Sequence, residues 1–314
     1  MLIVCHARPD GDCLGSMAAL ADAAAAAGKT VRTLAADKVP DRYGFLFASP
    51  PAMASDFVAA ADAADLVVIV DTCAVAQLDA VGTQLQARRD KVVVVDHHAT
   101  CDALGDVQWI DTSSAAAGVM VLELIDALGW PLTPPAAEAI MTAITTDTGW
   151  LRFANTDARC LAAVGRCIDA GVRPDQLYQR LFQTDRPQRL ALVGRMLTTL
   201  ELTAGGRLAS MVILKSDFVA TGALQEETEN LVNEALRIGS VDTAILLVEN
   251  GDCNRVSLRS RDAVNVAAVA KTFGGGGHAR AAGLRLSCDI HDLRRRLVEA
   301  CEKELSTCRG ATCC

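Results

Sequence analysis

Aspartate and histidine residues recur at four places in the first half of the chain, at spacings that suit a metal centre. They are His6, Asp10 and Asp12; Asp71; Asp96, His97 and His98; and Asp147. Carboxylates and imidazoles without a thiolate cage favour divalent ions such as Mn²⁺, with Mg²⁺ or Co²⁺ as alternatives. These residues therefore predict a centre that holds divalent metal ions.

The negative charge of these aspartates also requires cations. Asp147 shares a helical face with Ile140 and Ile144, which predicts that its carboxylate points toward the core. Buried unpaired carboxylates are rare, and each costs several kcal/mol. Two divalent ions would neutralise four aspartates, so the ligand count favours a pair of ions.

Each of these residues has a plainer interpretation when it is taken alone. Asp12 could cap a helix, and Asp71 could occupy a turn after a strand. His97 and His98 could be a hydrogen-bonded pair at a strand end. The combination favours the metal centre, because all of these residues are predicted at one edge of one sheet.

Apolar strands are needed to position these residues. Uninterrupted apolar runs at Leu2–Cys5, Leu66–Val70 and Val92–Val95 predict strands covered on both sides, and each run leads directly into candidate ligands. Ala-rich amphipathic runs between them predict helices, and Pro134–Asp147 is a further predicted helix. The alternation predicts an α/β domain with a mainly parallel sheet, which binds ligands at the carboxyl ends of its strands.

Near residue 205 the pattern changes to that of a smaller α+β domain. Predicted strands are Arg207–Leu214, Thr243–Val248, Arg255–Ser260 and Ala282–Ser287, and predicted helices are Gln225–Arg237, Val264–Thr272 and Ile290–Leu305. We therefore predict a catalytic domain over 1–183, a helical linker over 184–204 and a substrate-binding domain over 205–314. The active site is expected in the cleft between the two domains.

Cations and glycines are candidates for holding an anionic substrate. The candidates are Arg152, Arg259, Arg261, Gly275, Gly276, Gly277 and His278. Period-two alternation places the arginines of 255–261 on one strand face, where they would either meet solvent or bind phosphate. The glycine run before His278 is either a flexible turn or a backbone cradle for an anion. Arg152 is either a surface cation or a further phosphate ligand.

Composition limits the partners of this protein. The chain of 314 residues has 51% hydrophobic positions and a net charge of −8, which suits a globular two-domain protein and disfavours long duplex nucleic acid. No apolar run is long enough for a membrane span, and the twelve cysteines lack paired ligand spacing. A cytoplasmic protein with reduced thiols is therefore expected. The few aromatic residues near the second domain predict a short ligand with about one stacked base.

The four motifs of Asp and His, in this order, resemble those of the DHH phosphoesterase superfamily. The segment Gly274–His278, together with Ala281, Ala282 and Gly283, is similar to the substrate-binding signature of the DHHA1 domain that follows in that family. Size and motif order are similar to the NrnA-like oligoribonucleases and pAp phosphatases. The resemblance implies an N-terminal DHH domain, with helices flanking a mainly parallel sheet, and a smaller C-terminal α+β DHHA1 domain.

The resemblance also implies roles for the motif residues. One ion would be held by His6, Asp10 and Asp71, and the other by Asp12, Asp71, His97 and Asp147. Asp71 would thus bridge the two ions. As catalytic residues, His98 would face the substrate phosphate and Asp96 would support the histidines from behind.

The implied activity is hydrolysis of short 5′-phosphorylated oligonucleotides to nucleoside 5′-monophosphates, of pAp to AMP, or of both. The alternatives are a cyclic-dinucleotide phosphodiesterase and a non-catalytic nucleotide-sensing or RNA-binding module. The chain length disfavours a RecJ-like exonuclease, and the glycine-rich segment disfavours a family II pyrophosphatase. The expected partners are short oligonucleotides or small nucleotides, and a homodimer is left open.

Overall fold

The chain folds as two compact units, which are described separately. The computed structural model describes residues 1–86, 88–261 and 264–308. The units are Met1–Thr184 and Asp185–Cys314. Among the described residues, no helix combines the length and the apolar character needed to cross a membrane.

A six-stranded parallel sheet organises the first unit. Its strands are β1 (Leu2–Cys5), β2 (Arg32–Ala35), β3 (Ala52–Met53), β4 (Val67–Val70), β5 (Val92–Asp96) and β6 (Val107–Ile110). They lie in the order β3-β2-β1-β4-β5-β6, and their pairings are parallel. The strand order reverses between β1 and β4, and sheets of this kind bind ligands at the carboxyl ends beside such a switch point.

Helices pack on both faces of this sheet. They are α1 (Gly11–Ala26), α2 (Phe57–Asp62), α3 (Ala80–Gln86), α4 (Ala117–Ala127), α5 (Pro134–Asp147), α6 (Ala158–Asp169) and α7 (Pro174–Phe182). Alternate strand residues enter two cores: Ile3 and Val68 pack with α1, α4 and α5, whereas Leu2 and Val67 pack with α2 and α3. The strands are therefore buried on both sides, as their uninterrupted apolar runs predict.

Two glycines allow α1 to lie unusually close to α5. A Cβ on Gly15 would lie 2.5 Å from the carbonyl oxygen of Ala139, and a Cβ on Gly11 would lie 2.4 Å from the Thr146 side chain. Any larger residue would push the helices apart. The close packing holds the first turn of α1, with Asp12, beside the last turn of α5, with Asp147.

The α/β class and the parallel sheet of the first unit are confirmed. The predicted helix Pro134–Asp147 has the observed bounds. Sequence analysis did not identify β3, β6, α2 or α3. These elements are short, and the residues of β6 are exposed or half-buried, so they lack the long apolar run that marks a buried strand.

The second unit contains a smaller mixed sheet. Its strands are β7 (Glu201–Thr203), β8 (Leu208–Ile213), β9 (Thr243–Asn250), β10 (Cys253–Ser260), β11 (Gly276–His278) and β12 (Ala281–Leu286), and its helices are α8 (Pro187–Thr198), α9 (Lys215–Thr221), α10 (Val266–Thr272) and α11 (Ile290–Cys308). The strand order is β11-β12-β10-β9-β8-β7. Only the β8–β9 pairing is parallel among the described strands of this unit.

Two segments of the second unit differ from simple expectation. The single helix predicted over Gln225–Arg237 is wrong: the structure has 3₁₀ segments at Gln225–Thr228 and Leu231–Arg237. Asn230 separates them with φ of 62°, a left-handed conformation that asparagine tolerates and a continuous helix does not. In the segment predicted as a linker, α8 packs its Leu192 into a core of the second unit, and β7 pairs with β8.

Candidate functional site

Asp71 lies at the centre of the predicted ligand cluster. It directly follows β4, is only 2% exposed, and adopts φ of 62°, a conformation that is strained for a residue other than glycine. Its Oδ2 lies 3.5 Å from His6 Nε2, and its Oδ1 lies 3.4 Å from His97 Nε2. The two oxygens of one carboxylate therefore face two different imidazoles.

The first group of potential metal ligands lies at the end of β1. His6 Nε2 is 3.8 Å from Asp10 Oδ1 and also faces Asp71. His6 Nδ1 lies 2.8 Å from the carbonyl oxygen of Ala7, so Nδ1 carries the proton and donates it there. Asp10 caps α1 by accepting from the backbone N–H groups of Asp12 and Cys13. The residue that caps this helix is thus Asp10 and not Asp12.

The second group of potential metal ligands comes from the end of strand β5 and from helices α1 and α5. His97 Nε2 lies 3.5 Å from Asp12 Oδ2 and 3.9 Å from Asp147 Oδ2, besides its contact with Asp71. His97 Nδ1 lies 3.1 Å from the carbonyl oxygen of Ser114 and donates to it. This imidazole also directs Nε2 at carboxylate oxygens.

The N-terminus of α4 holds Asp12 in place. The backbone N–H of Ala117 donates to Asp12 Oδ2 at 2.7 Å, and that of Gly118 donates to Asp12 Oδ1 at 2.9 Å. The partial positive charge of a helix N-terminus favours this buried carboxylate. Sequence reasoning missed these two donors, although the small residues that precede an apolar helix at 113–118 are a signal for such an end.

Crowding of the carboxylates shifts the pKa values in this cluster. Burial raises the pKa of Asp12 well above its usual value, and the charges of Asp71 and Asp147 add to this. Burial likewise raises the pKa of Asp147 to about 6, despite the opposing charge of His97. For Asp71 the direction is reversed: burial alone would raise its pKa, but the adjacent imidazoles of His6 and His97 outweigh burial and lower it.

The two histidines compensate for this negative charge when no cation is bound. Burial disfavours the charged forms of His6 and His97, but the hydrogen bonds and the charge of Asp71 outweigh it and raise the pKa of each to about 9. A neutral imidazole here would point its Nε2 lone pair at carboxylate oxygens, since Nδ1 bonds a carbonyl. Each Nε2 therefore requires either a proton or a cation.

These residues fit a pair of divalent ions. Three groups of potential ligand atoms lie within 4.8 Å of one another: His6, Asp10, Cys13 and Asp71; Asp71, His97 and His98; and Asp12, His97 and Asp147. Asp71 Oδ1 is buried and accepts no hydrogen bond, which leaves it available as a ligand. Burial raises the pKa of the Cys13 thiol well above its usual value, so this residue stays protonated and is a poor ligand.

Asp96 and His98 form a separate pair beside this cluster. Asp96 Oδ1 lies 2.8 Å from His98 Nδ1 and also accepts from the backbone N–H of His97. This hydrogen bond raises the pKa of His98 against the effect of burial. The His98 side chain is 48% exposed, while Asp96 is fully buried. Asp96 therefore orients an imidazole that solvent and ligands can reach.

Arg152 is the remaining candidate of the first unit. It lies in the turn after α5 and is exposed. Its Nε donates to the carbonyl oxygen of Gly149 at 2.6 Å, which holds the side chain near the end of α5. The terminal nitrogens of this guanidinium have no carboxylate partner among the described residues, so they are available to an anion.

The arginines in and directly after β10 differ in their burial and in their hydrogen bonds. Val256 and Leu258 are buried and Arg255 and Arg259 half-buried, as the period-two pattern predicts. Arg261 lies beyond the strand and donates to the carbonyl oxygens of Leu236 and Gly239. Arg259 donates only to its neighbour Leu258 among the described residues, and burial lowers its pKa.

His278 lies at the same level of the sheet as Arg259. Ala281 of β12 pairs with Arg259 on one side and with His278 on the other. Residues in register on adjacent strands point to one face, so the Arg259 guanidinium and the His278 imidazole share a face, about 10 Å apart at their backbones. This spacing allows both to contact one polyanionic ligand.

The glycines before His278 lie partly in a strand rather than in an open turn. A Cβ on Gly275 would lie 2.4 Å from the carbonyl oxygen of Gly283, and a Cβ on Gly277 would lie 2.5 Å from that of Ala281. Gly277 also has φ of 141°. The approach of β11 to β12 therefore explains these two glycines. Gly276 is exposed and a Cβ there would meet open space.

Comparison with known proteins adds to this geometry. The model of the DHH family, N-terminal domain, matches residues 1–144, and the model of the DHHA1 domain matches residues 210–307. The chain is 32% identical to the bifunctional oligoribonuclease and PAP phosphatase NrnA of Thermus thermophilus over 305 residues, which cover 97% of this chain and 90% of that protein. It is 29% identical to the protein of the same name from Bacillus subtilis, with coverage of 88% and 86%.

A solved structure shows the same fold. The exopolyphosphatase-related protein from Bacteroides fragilis superposes with a TM-score of 0.90 at 23% identity, covering 98% of this chain and 93% of that one. The similarity in fold therefore extends over both units.

Proposed function

The chain belongs to the DHH family, and on that premise we propose that it is a two-metal phosphoesterase of short nucleotides. It hydrolyses short 5′-phosphorylated oligonucleotides to nucleoside 5′-monophosphates, and pAp to AMP and phosphate. The relatives named NrnA that match nearly the full chain support this substrate class. The cluster of carboxylates and imidazoles in the first unit supports the chemistry.

One observation carries the proposal. Asp71 directs its two carboxylate oxygens at two imidazole nitrogens, 3.5 Å and 3.4 Å away, and one of those oxygens is buried without a hydrogen-bond partner. A purely structural aspartate at 2% exposure would have its oxygens satisfied by N–H or O–H donors. A bridging ligand for two cations explains why Asp71 has none.

We propose that His6, Asp10 and Asp71 hold one ion, and that Asp12, Asp71, His97 and Asp147 hold the other. Oxygen and imidazole donors favour Mn²⁺ as the ion. When bound, such a pair acidifies a water molecule and polarises phosphoryl oxygens. Backbone N–H groups of α4 hold Asp12, and the two histidines are held by hydrogen bonds to backbone carbonyls. The ligand atoms are therefore in place before an ion binds, which lowers the free-energy cost of forming the metal centre.

The remaining residues bind and orient the substrate. His98, held by Asp96, donates a proton or hydrogen bond to the phosphate or to the leaving oxygen. Arg152, Arg259 and His278 bind phosphate groups that are not being cleaved, and the exposed backbone of Gly276 leaves room for an anion beside His278. Because the chain carries a net charge of −8, these local cations select short anions over long duplexes.

Metal-dependent release of mononucleotide tests this function. Protein stripped with a chelator is titrated with Mn²⁺ by calorimetry and is then assayed on a 5′-phosphorylated dinucleotide, pAp, a cyclic dinucleotide and pyrophosphate. We expect uptake of two ions and release of mononucleotide from the dinucleotide, with Asp71→Asn as the inactive control. Cleavage of the cyclic dinucleotide alone, or an absence of ion uptake, would contradict the proposal.

A further inference from the structure

The turn that follows Asp147 leads directly into an exposed aromatic cluster. Trp150, three residues after Asp147, donates its backbone N–H to the carbonyl oxygen of Thr145 at 2.6 Å and has φ of 60°. The amide of Asn155 donates to the carbonyl oxygens of Asp147 and Ala115. The turn is therefore tied to the backbone of a proposed metal ligand and holds Trp150 in a strained conformation.

Three aromatic rings pack against one another at this turn. The ring centroids of Trp150 and Tyr178 are 5.0 Å apart, those of Trp150 and Phe182 are 5.7 Å apart, and those of Tyr178 and Phe182 are 5.2 Å apart. Tyr178 is 38% exposed and Phe182 is 43% exposed. Large aromatic rings at such exposure leave their faces open to a flat ligand.

Two of these rings, those of Trp150 and Tyr178, border a groove of about 340 Å³. We call it the aromatic groove; its lining residues are Trp150, Pro174, Asp175, Tyr178, Gln179 and Gln183. The glutamine side chains each offer an amide donor and acceptor, which can pair with the edge of a nucleobase while the rings stack on its face. Arg152, in the same turn, supplies a cation for the adjoining phosphate. Aromatic rings that can stack on a base, amides that can hydrogen-bond its edge, and a nearby arginine for the phosphate are the features that a nucleotide-binding site needs.

We propose that the aromatic groove binds a nucleobase of the oligonucleotide substrate. This inference rests on the proposed function and names a recognition element for it in the first unit. The few aromatic residues of the second domain, of which Phe273 is the clearest, predict about one stacked base. Phe273 instead packs in a core of the second unit under the guanidinium of Arg296.

Substrates that lack one base test the groove. We compare a 5′-phosphorylated dinucleotide with its two abasic analogues, each lacking one base, on the wild type and on Tyr178→Ala. In the wild type, removal of one particular base is expected to raise KM about tenfold. Tyr178→Ala is expected to raise KM for the intact dinucleotide about tenfold and to leave KM for that abasic analogue within twofold, because the contact is already absent.

Three variants separate stacking from a general disturbance of the fold. Tyr178→Phe keeps the ring and should keep KM within about twofold. Leu161→Ala removes an exposed apolar side chain on α6, outside the groove, and should leave KM unchanged. Thermal melting followed by circular dichroism must show that Tyr178→Ala remains folded, and Trp150→Leu provides a second variant in the lining of the groove.

Tryptophan fluorescence gives a readout that does not depend on turnover. Quenching by the dinucleotide in the presence of chelator should disappear in Trp150→Phe and persist in Trp130→Phe. Equal KM values for all three dinucleotides, with cleavage intact, would overturn the groove while the proposed function stands. Quenching through Trp150 without any cleavage would support the groove and overturn the proposed function.

Discussion

The carboxyl edge of the first sheet and the β10–β11 region of the second unit both carry residues suited to phosphate chemistry, yet the fold treats them differently. At the first edge, Asp71 Oδ1 is buried without a hydrogen-bond partner, and two imidazole nitrogens face carboxylates. In the second unit, Arg261 bonds two backbone carbonyls and Gly275 is required by a close strand contact.

The difference separates functional candidates from structural ones. Arg294 shows the structural extreme, since its guanidinium donates to the carbonyl oxygens of Thr199 and Ser210 and to the side chains of Ser210 and Glu201. Such a side chain has few donors left for a ligand. Arg259, with no carboxylate partner among the described residues, is at the other extreme. We therefore infer that residues whose hydrogen-bonding capacity the fold leaves unsatisfied, such as Asp71 and Arg259, are the stronger candidates for binding a ligand.

The strongest test of this comparison is Asp71→Asn. An amide cannot bridge two cations, so we expect kcat/KM to fall by about a thousandfold or more. The fold should persist, because the change removes one charge from a crowded set of carboxylates. Activity assays with saturating Mn²⁺ and thermal melting of the metal-free protein measure both effects. Turnover near the wild-type value would show that Asp71 is not a ligand of the proposed metal centre.

Asp96→Asn should have the next largest effect. The buried carboxylate orients His98 through a 2.8 Å hydrogen bond, and loss of such a partner typically costs 10- to 100-fold, so we expect kcat to fall by about that factor with KM nearly unchanged. His98→Ala should produce a similar loss, and the double variant should lose no more than the larger single effect. Additive losses in the double variant would show that Asp96 acts independently of His98.

Arg259→Ala and Arg261→Ala form a matched pair for the second unit. Arg259→Ala should raise KM about tenfold with little change in stability, because its donors are free for phosphate. Arg261→Ala should leave KM unchanged and lower the free energy of unfolding by about 1 to 2 kcal/mol, since it loses two backbone partners. Steady-state kinetics and urea unfolding distinguish the two outcomes. If instead Arg261→Ala raised KM and Arg259→Ala lowered the free energy of unfolding, unsatisfied hydrogen-bonding capacity would not distinguish ligand-binding arginines from structural ones.

Two neighbouring glycines provide the smallest and most local test. Gly275→Ala should lower the melting temperature, because its Cβ would lie 2.4 Å from the carbonyl oxygen of Gly283. Gly276→Ala faces open space and should leave stability within about 0.5 kcal/mol. Calorimetric melting of the two variants measures the contrast. Equal destabilisation would mean that the strand pairing of β11 does not explain Gly275.

Much of the first unit could be predicted because three of the four ligand motifs follow uninterrupted apolar strands. Asp71 and His97 are examples, since burial on both faces leaves a clear local pattern. The role of Asp12 could not be derived in the same way. Its carboxylate is held by N–H groups of Ala117 and Gly118, which lie far along the chain and come into contact only through helix packing.

The second unit was harder to predict for a related reason. Arg259 and Arg261 have the same parity in the strand pattern, and only the carbonyl groups at the end of a 3₁₀ segment distinguish them. That segment was itself predicted as a regular helix, because its break at Asn230 depends on one residue in a left-handed conformation. The aromatic groove likewise arises where the turn containing Trp150 packs against α7, a contact without a local sequence pattern.

The spread of the proposed ligands along the chain has a consequence for synthesis. His6 is translated well before Asp147, which completes the cluster at the end of α5. A nascent chain that stops short of α5 lacks the last carboxylate and the neighbour that packs α1 in place. Binding of both proposed ions should therefore become possible only once this helix has emerged, and shorter translation products should lack part of one ion site.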